Sequence, residues 1–110
     1  MAQTATRLIS GSTLTGSAVT YYTAPTGTST VIKKLSIINT TASPVNVTIY
    51  LIPSGGTAAS TNTITSARTV NAGETWSCPD AENQVLPTGG FIQALGSGLT
   101  IMGSGIQITN

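Results

Sequence analysis

Val45-Asn46-Val47-Thr48-Ile49-Tyr50-Leu51 is the stretch that decides the class of fold. Its apolar residues Val45, Val47, Ile49 and Leu51 alternate with Asn46, Thr48 and Tyr50. A period of two sends the two sets to opposite faces of a β-strand. Upstream, Leu35 and Ile37 repeat the alternation as far as Asn39-Thr40-Thr41, a turn cluster closed by Pro44. The two runs predict an antiparallel hairpin, or neighbouring strands, over residues 30–52. Lys33 and Lys34 break the first run, because adjacent strand residues face opposite sides. A β-bulge at this pair lets Ile32, Leu35 and Ile37 share one face. The alternative is an edge strand whose charges discourage aggregation.

Shorter runs of the same kind fill the rest of the chain. Residues 17–24 carry Val19 and Tyr21 on one face and Tyr22 on the other, and stop at Pro25-Thr26-Gly27. Residues 64–70 follow a loop of small residues, and Asn71-Ala72-Gly73 turns into Glu74-Thr75-Trp76-Ser77-Cys78. Val85-Leu86, residues 91–95, residues 99–102 and residues 106–109 complete the set, the last two separated by Gly103-Ser104-Gly105 read as a turn. No helix-period stripe occurs. Short strands between Gly and Pro turns predict an all-β fold, a jelly-roll-like antiparallel β-sandwich of about eight short strands. Residues 1–16 form an N-terminal arm or first strand anchored by Leu8 and Ile9, and residues 17–110 a single sandwich domain.

Composition narrows the chemistry. The 110 residues include no His, one Cys, four Lys and Arg and three Asp and Glu, for a net charge of +1. A nucleophile needs a base, and neither Cys78 nor any Ser or Thr has a His to serve it. Cys78 alternates with Trp76 and reads as a small buried hydrophobe. Soft-metal binding lacks ligands. A hard cation has only Asp80, Glu82, Asn83 and loop carbonyls to use, and a carboxylate pair from Glu74, Asp80 and Glu82 lacks an evident cleft. The Gly pairs are not followed by the Lys-Ser or Lys-Thr of a phosphate loop. No catalytic residue, cofactor or metal is predicted. Two adjacent lysines are too few for a nucleic-acid groove, and no apolar run is long enough for a membrane span. The N terminus lacks the apolar core of a signal peptide, which predicts synthesis in a cytoplasm.

Few charges leave a surface poorly protected against association. Either Thr and Ser hydroxyls keep it soluble, or an assembly covers it. Tyr50 and Ile52 end the outward face of the Val45 run, and Tyr22 opposes Val19 and Tyr21. Strands with bulky residues on both faces are covered on both faces. The expected contact residues are therefore Tyr22, Tyr50 and Ile52, joined by Leu8 and Ile9 if the N-terminal arm adds to a neighbouring sheet edge.

From Tyr22 onward the chain resembles a family of small tailed-phage virion proteins. The resemblance rests on Tyr22-Thr23-Ala24-Pro25-Thr26-Gly27, on Ile32-Lys33-Lys34-Leu35-Ser36-Ile37-Ile38-Asn39-Thr40, and on the Val45 run extended through Pro53-Ser54-Gly55-Gly56-Thr57. Ala72-Gly73-Glu74-Thr75, Val85-Leu86-Pro87-Thr88-Gly89 and Ser104-Gly105-Ile106-Gln107-Ile108 follow in order. The family pattern often has Gly-Asp before its Ile-x-Ala strand, where this chain has Gly89-Gly90-Phe91-Ile92-Gln93-Ala94. The resemblance implies a non-enzymatic virion structural protein that decorates and cements a phage capsid, with the major capsid protein as partner. A homo-oligomer, dimer or trimer, on the capsid surface is expected, with no nucleic-acid or membrane partner. Alternatives are a tail, collar or fibre component, and a carbohydrate- or receptor-binding module using the aromatics and the 80–83 loop.

Overall fold

The computed structural model describes residues 2–109, with the side chains of all of these except Ala2 and Asp80. Among the described residues there are nine strands: β1 (Ala2–Thr13), β2 (Val19–Thr23), β3 (Thr28–Asn39), β4 (Val45–Ile52), β5 (Thr63–Val70), β6 (Thr75–Ser77), β7 (Val85–Leu86), β8 (Phe91–Leu95) and β9 (Leu99–Thr109). They form two antiparallel sheets. The first has the order β1-β9-β3-β6, with β7 sharing the flank of β3 that β6 uses, and the second has the order β2-β8-β4-β5. The nine strands thus occupy eight sheet positions, four in each layer. This interleaved order is that of a jelly-roll-like sandwich.

Between the layers lies an aliphatic core. Ile32, Leu35, Ile37, Leu99 and Ile101 from the first sheet meet Val47, Ile49, Ile92 and Ala94 from the second, all fully buried. The alternation read in the Val45 run is the one that fills this space.

Two expectations need correction. β3 and β4 are not a hairpin, nor neighbours in one sheet: they lie in opposite layers. Their apolar faces meet across the core, and the chain between them crosses from one layer to the other. Asn39 makes that crossing. Its Nδ2 donates to the carbonyls of Ser43 (2.9 Å) and Val70 (2.8 Å), and its Oδ1 accepts from the Thr41 backbone N–H (2.9 Å) and hydroxyl (2.6 Å). A fully buried amide with all its capacity used holds a turn that a hairpin would close through ladder bonds.

The second correction concerns Gly103-Ser104-Gly105, which is no turn. β9 runs straight through it as the strand between β1 and β3. The glycines are there for clearance. A Cβ on Gly105 would run into the Val31 carbonyl oxygen and come 3.0 Å from Leu8 Cδ1, and one on Gly103 would come 3.0 Å from Leu35 Cδ1. Opposite them the flanking strands bulge. Lys33 is the extra residue in β3 and Leu8 the extra residue in β1, both registered against Ser104 and its neighbours. The bulge at the lysine pair is as expected: both lysines are exposed, and Ile32, Leu35 and Ile37 share the buried face. β3 is an interior strand, so the edge alternative does not apply.

Replacing Gly105 with Ala is expected to destabilise the fold by about 1–3 kcal/mol, as overpacking against backbone does. Gly103→Ala, which meets only the end of a leucine side chain, costs less. Asn39→Ala removes four hydrogen bonds and strands the Val70 carbonyl, for a loss of about 2–3 kcal/mol. Urea unfolding of the three variants checks both the magnitudes and their order.

Candidate interaction surface

Each residue singled out from the sequence has a definite place. Leu8 and Ile9 are 8% and 3% exposed and belong to the core. The bulge in β1 turns both of them inward, although they are consecutive. In the folded chain they are packing residues, which corrects their reading as the anchor of a projecting arm. Ile52 is also fully buried, with Gly56 of the following loop lying over it. It offers no free contact surface.

Tyr22 points between the sheets. The β-bulge between Thr20 and Tyr22 registers Tyr22 with the buried Ile92. Its hydroxyl shares a 2.7 Å hydrogen bond with Thr30 Oγ1 and accepts one of 2.8 Å from Gln107 Nε2. Thr6 Oγ1 donates to Gln107 Oε1 at 3.4 Å. This chain of hydroxyls and one amide ties β2 of one layer to β1, β3 and β9 of the other. Gln107 and Thr30 carried no sequence signal of this role, because their partner comes from the opposite sheet. Tyr21 joins the same side of the sandwich, its hydroxyl 3.5 Å from the Thr13 carbonyl. Burial pushes its phenol pKa up, and a backbone hydrogen bond offsets part of the rise.

The opposite side of the sandwich is tied differently. Cys78 is fully buried, as expected, with its Sγ 3.4 Å from Thr65 Oγ1 of β5. Arg68 of β5 lies over the Trp76 ring of β6 at 4.8 Å. Glu74 Oε1 accepts the Asn71 N–H at 2.7 Å and so closes the turn before β6. Asn83 Oδ1 accepts from Lys33 Nζ at 2.9 Å. The side chain of Asp80, which the hard-cation reading of this loop needs, lies outside the described residues. Among the described residues no three His, Cys, Asp or Glu come together as metal ligands.

Tyr50 is the predicted contact residue that stays on an outer face. It pairs with Gln93 of β8 and Thr63 of β5, while Thr48 pairs with Leu95 and Ile52 with Phe91. Alternation from the buried Ile92 and Ala94 puts Phe91, Gln93 and Leu95 on this same face. Gln93 Nε2 donates to Thr20 Oγ1 at 3.0 Å and carries the row across to β2. The outer face of the second sheet thus presents half-buried Tyr50, Phe91 and Leu95 among Thr and Gln. Phe91 and Leu95 were legible only as strand residues. Their place on the outer face follows from the β4–β8 register, which the sequence does not give. Trp76 belongs to the other sheet and is covered by Arg68, so the aromatics do not gather into one platform.

The fold has known counterparts. A chain in the T13 viral particle of infectious bursal disease virus matches 98% of this chain at 15% identity and a TM-score of 0.53. A chain in the VP2 subviral particle of the same virus matches 98% at 16% identity and a TM-score of 0.50. This chain shares a β-sandwich fold with them. It spans about a third of their length, 31% and 33%. No protein-family model and no curated protein matches it.

The Tyr22 tie gives a direct prediction. Tyr22→Phe keeps the ring and removes the hydroxyl that Thr30 and Gln107 both use. The expected loss is about 1–2 kcal/mol in chemical denaturation. A change within a few tenths of a kcal/mol would show that the tie adds nothing to stability.

Proposed function

We propose that this protein is a non-enzymatic virion structural protein that decorates a phage capsid and stabilises it by binding across neighbouring capsid subunits. The observation that carries this reading is the two-sided character of the β2-β8-β4-β5 sheet. Its inner face is filled by the core, yet its outer face still holds Tyr50, Phe91 and Leu95 and no acid. A sheet apolar on both faces is built to be covered on both. The β-sandwich shared with the viral-particle chains and the resemblance of residues 22–108 to small phage virion proteins support the same reading.

The mechanism is passive. A copy that binds only the assembled shell stabilises it by RT ln(1 + [L]/Kd), about 2.7 kcal/mol per site at a hundredfold excess over Kd. Many sites on one shell multiply the effect. The contact is a largely uncharged patch meeting its counterpart on the major capsid protein, with hydroxyl and amide groups of Thr48, Thr20 and Gln93 around the aromatic centre. Attachment at a tail or collar would use the same surface and is distinguished by the test below.

Particles lacking the protein are mixed with it, pelleted and heated. Saturable co-sedimentation and a higher shell-disruption temperature are expected. The Tyr50→Ala, Phe91→Ala double variant should fold and bind at least about tenfold more weakly, as loss of an aromatic centre does. Absence of binding to shells, with binding to tails or surface glycans instead, would overturn the capsid reading.

A further inference from the structure

Three of the six described charged side chains of this protein are engaged within the chain. Lys33 donates to Asn83, Arg68 lies over Trp76, and Glu74 closes its own turn. Among the described charged side chains, Arg7, Lys34 and Glu82 alone have no ion pair, hydrogen bond or ring contact within the chain. Two of these three stand side by side. Arg7 of β1 and Lys34 of β3 are both registered opposite Ser104 of β9. With strands about 4.8 Å apart, their Cα atoms are about 10 Å apart across Ser104.

That placement depends on the bulge. Without the extra residue Lys33, strict alternation from Ile32 would turn Lys34 inward. With it, Lys34 emerges on the same outer face as Arg7 and Ser104. The two cations border a hollow of about 280 Å³ lined by Arg7, Lys34, Ser36, Met102, Gly103 and Ser104. Every polar side chain in that lining can donate a hydrogen bond, and none is acidic. Two cations held over one serine repel each other, and like charges across a sheet are destabilising unless an anion joins them. A carboxylate, which only accepts, matches a guanidinium, an ammonium and two hydroxyls in one recess.

We infer that this hollow receives the carboxylate of Glu82 from a second copy of the chain. Glu82 is exposed and has no partner of its own. It projects from a loop held stiff on both sides. Its N–H donates to the Pro79 carbonyl (3.3 Å), the Asn83 N–H donates to the Ile32 carbonyl, and Lys33 holds the Asn83 side chain. A rigid loop gives up little freedom on docking. Knob and recess are charge-complementary surfaces of one chain that form no ion pair within it. Copies therefore associate either reciprocally about a two-fold axis or head to tail into a closed ring. The contact lies on the first sheet, leaves the Tyr50 face of the second sheet free, and does not depend on capsid binding.

Sedimentation of the full chain without any capsid tests this separately. Self-association is expected at low salt and should weaken at high salt, because the pairing charges are solvent-accessible before docking. Glu82→Lys, and separately Arg7→Glu with Lys34→Glu, should each weaken it about tenfold or more. The triple variant carrying all three reversals should regain it. Unchanged thermal melting shows that the variants remain folded. A wild-type chain that is monomeric at low salt would overturn the inference. So would a Glu82→Lys variant that associates as tightly as wild type, or a triple variant that does not recover.

Discussion

The close passage of β9 between β1 and β3 is the constraint from which much of this structure follows. At Gly103 and Gly105 the strand has no side chain to give to the core, and the space is taken by Leu35, Leu8 and Ile9 from its neighbours. Those neighbours adjust by bulging. The extra residue in β1 turns two consecutive apolar residues inward, and the extra residue in β3 turns two consecutive lysines outward. One packing requirement thus shapes both faces of the first sheet. It completes the core on one side and sets Arg7 and Lys34 around Ser104 on the other.

The second sheet divides its labour differently. The centre of its inner face is aliphatic or small, with Val47, Ile49, Ile92 and Ala94 fully buried. The aromatics are kept out of the core centre. Tyr21 and Tyr22 close one long side of the sandwich, Arg68 over Trp76 closes the other, and Tyr50 and Phe91 remain for the outer face. Among the described residues no buried side-chain nitrogen or oxygen lacks a partner. A small aliphatic core leaves little margin in a marginally stable domain, so satisfied polar ties at the rim carry weight beyond their number.

Much of the fold was legible because alternation is a local property. The Val45 run, the bulge at Lys33-Lys34 and the buried Cys78 could all be read from neighbouring residues. What failed were relations between distant parts of the chain. A turn cluster looks the same whether it closes a hairpin or crosses between layers, and only the Asn39 bond to Val70, 31 residues away, distinguishes them. Gly-Ser-Gly signals a turn wherever a free backbone is assumed, and becomes strand only when the side chains of β1 and β3 crowd it. The contact surface shows the same split. Tyr50 could be read as outward from its own strand, whereas Leu8, Ile9 and Ile52 needed the bulge and the covering loop to reveal that they are interior.

The proposed capsid contact is the outer face of the β2-β8-β4-β5 sheet. Electron cryo-microscopy of particles saturated with the protein tests it most directly. Density for Tyr50, Phe91 and Leu95 packed against capsid subunits is expected, with each copy bridging more than one subunit. A bound copy that turns this face to solvent, or that touches a single subunit through another surface, would contradict it.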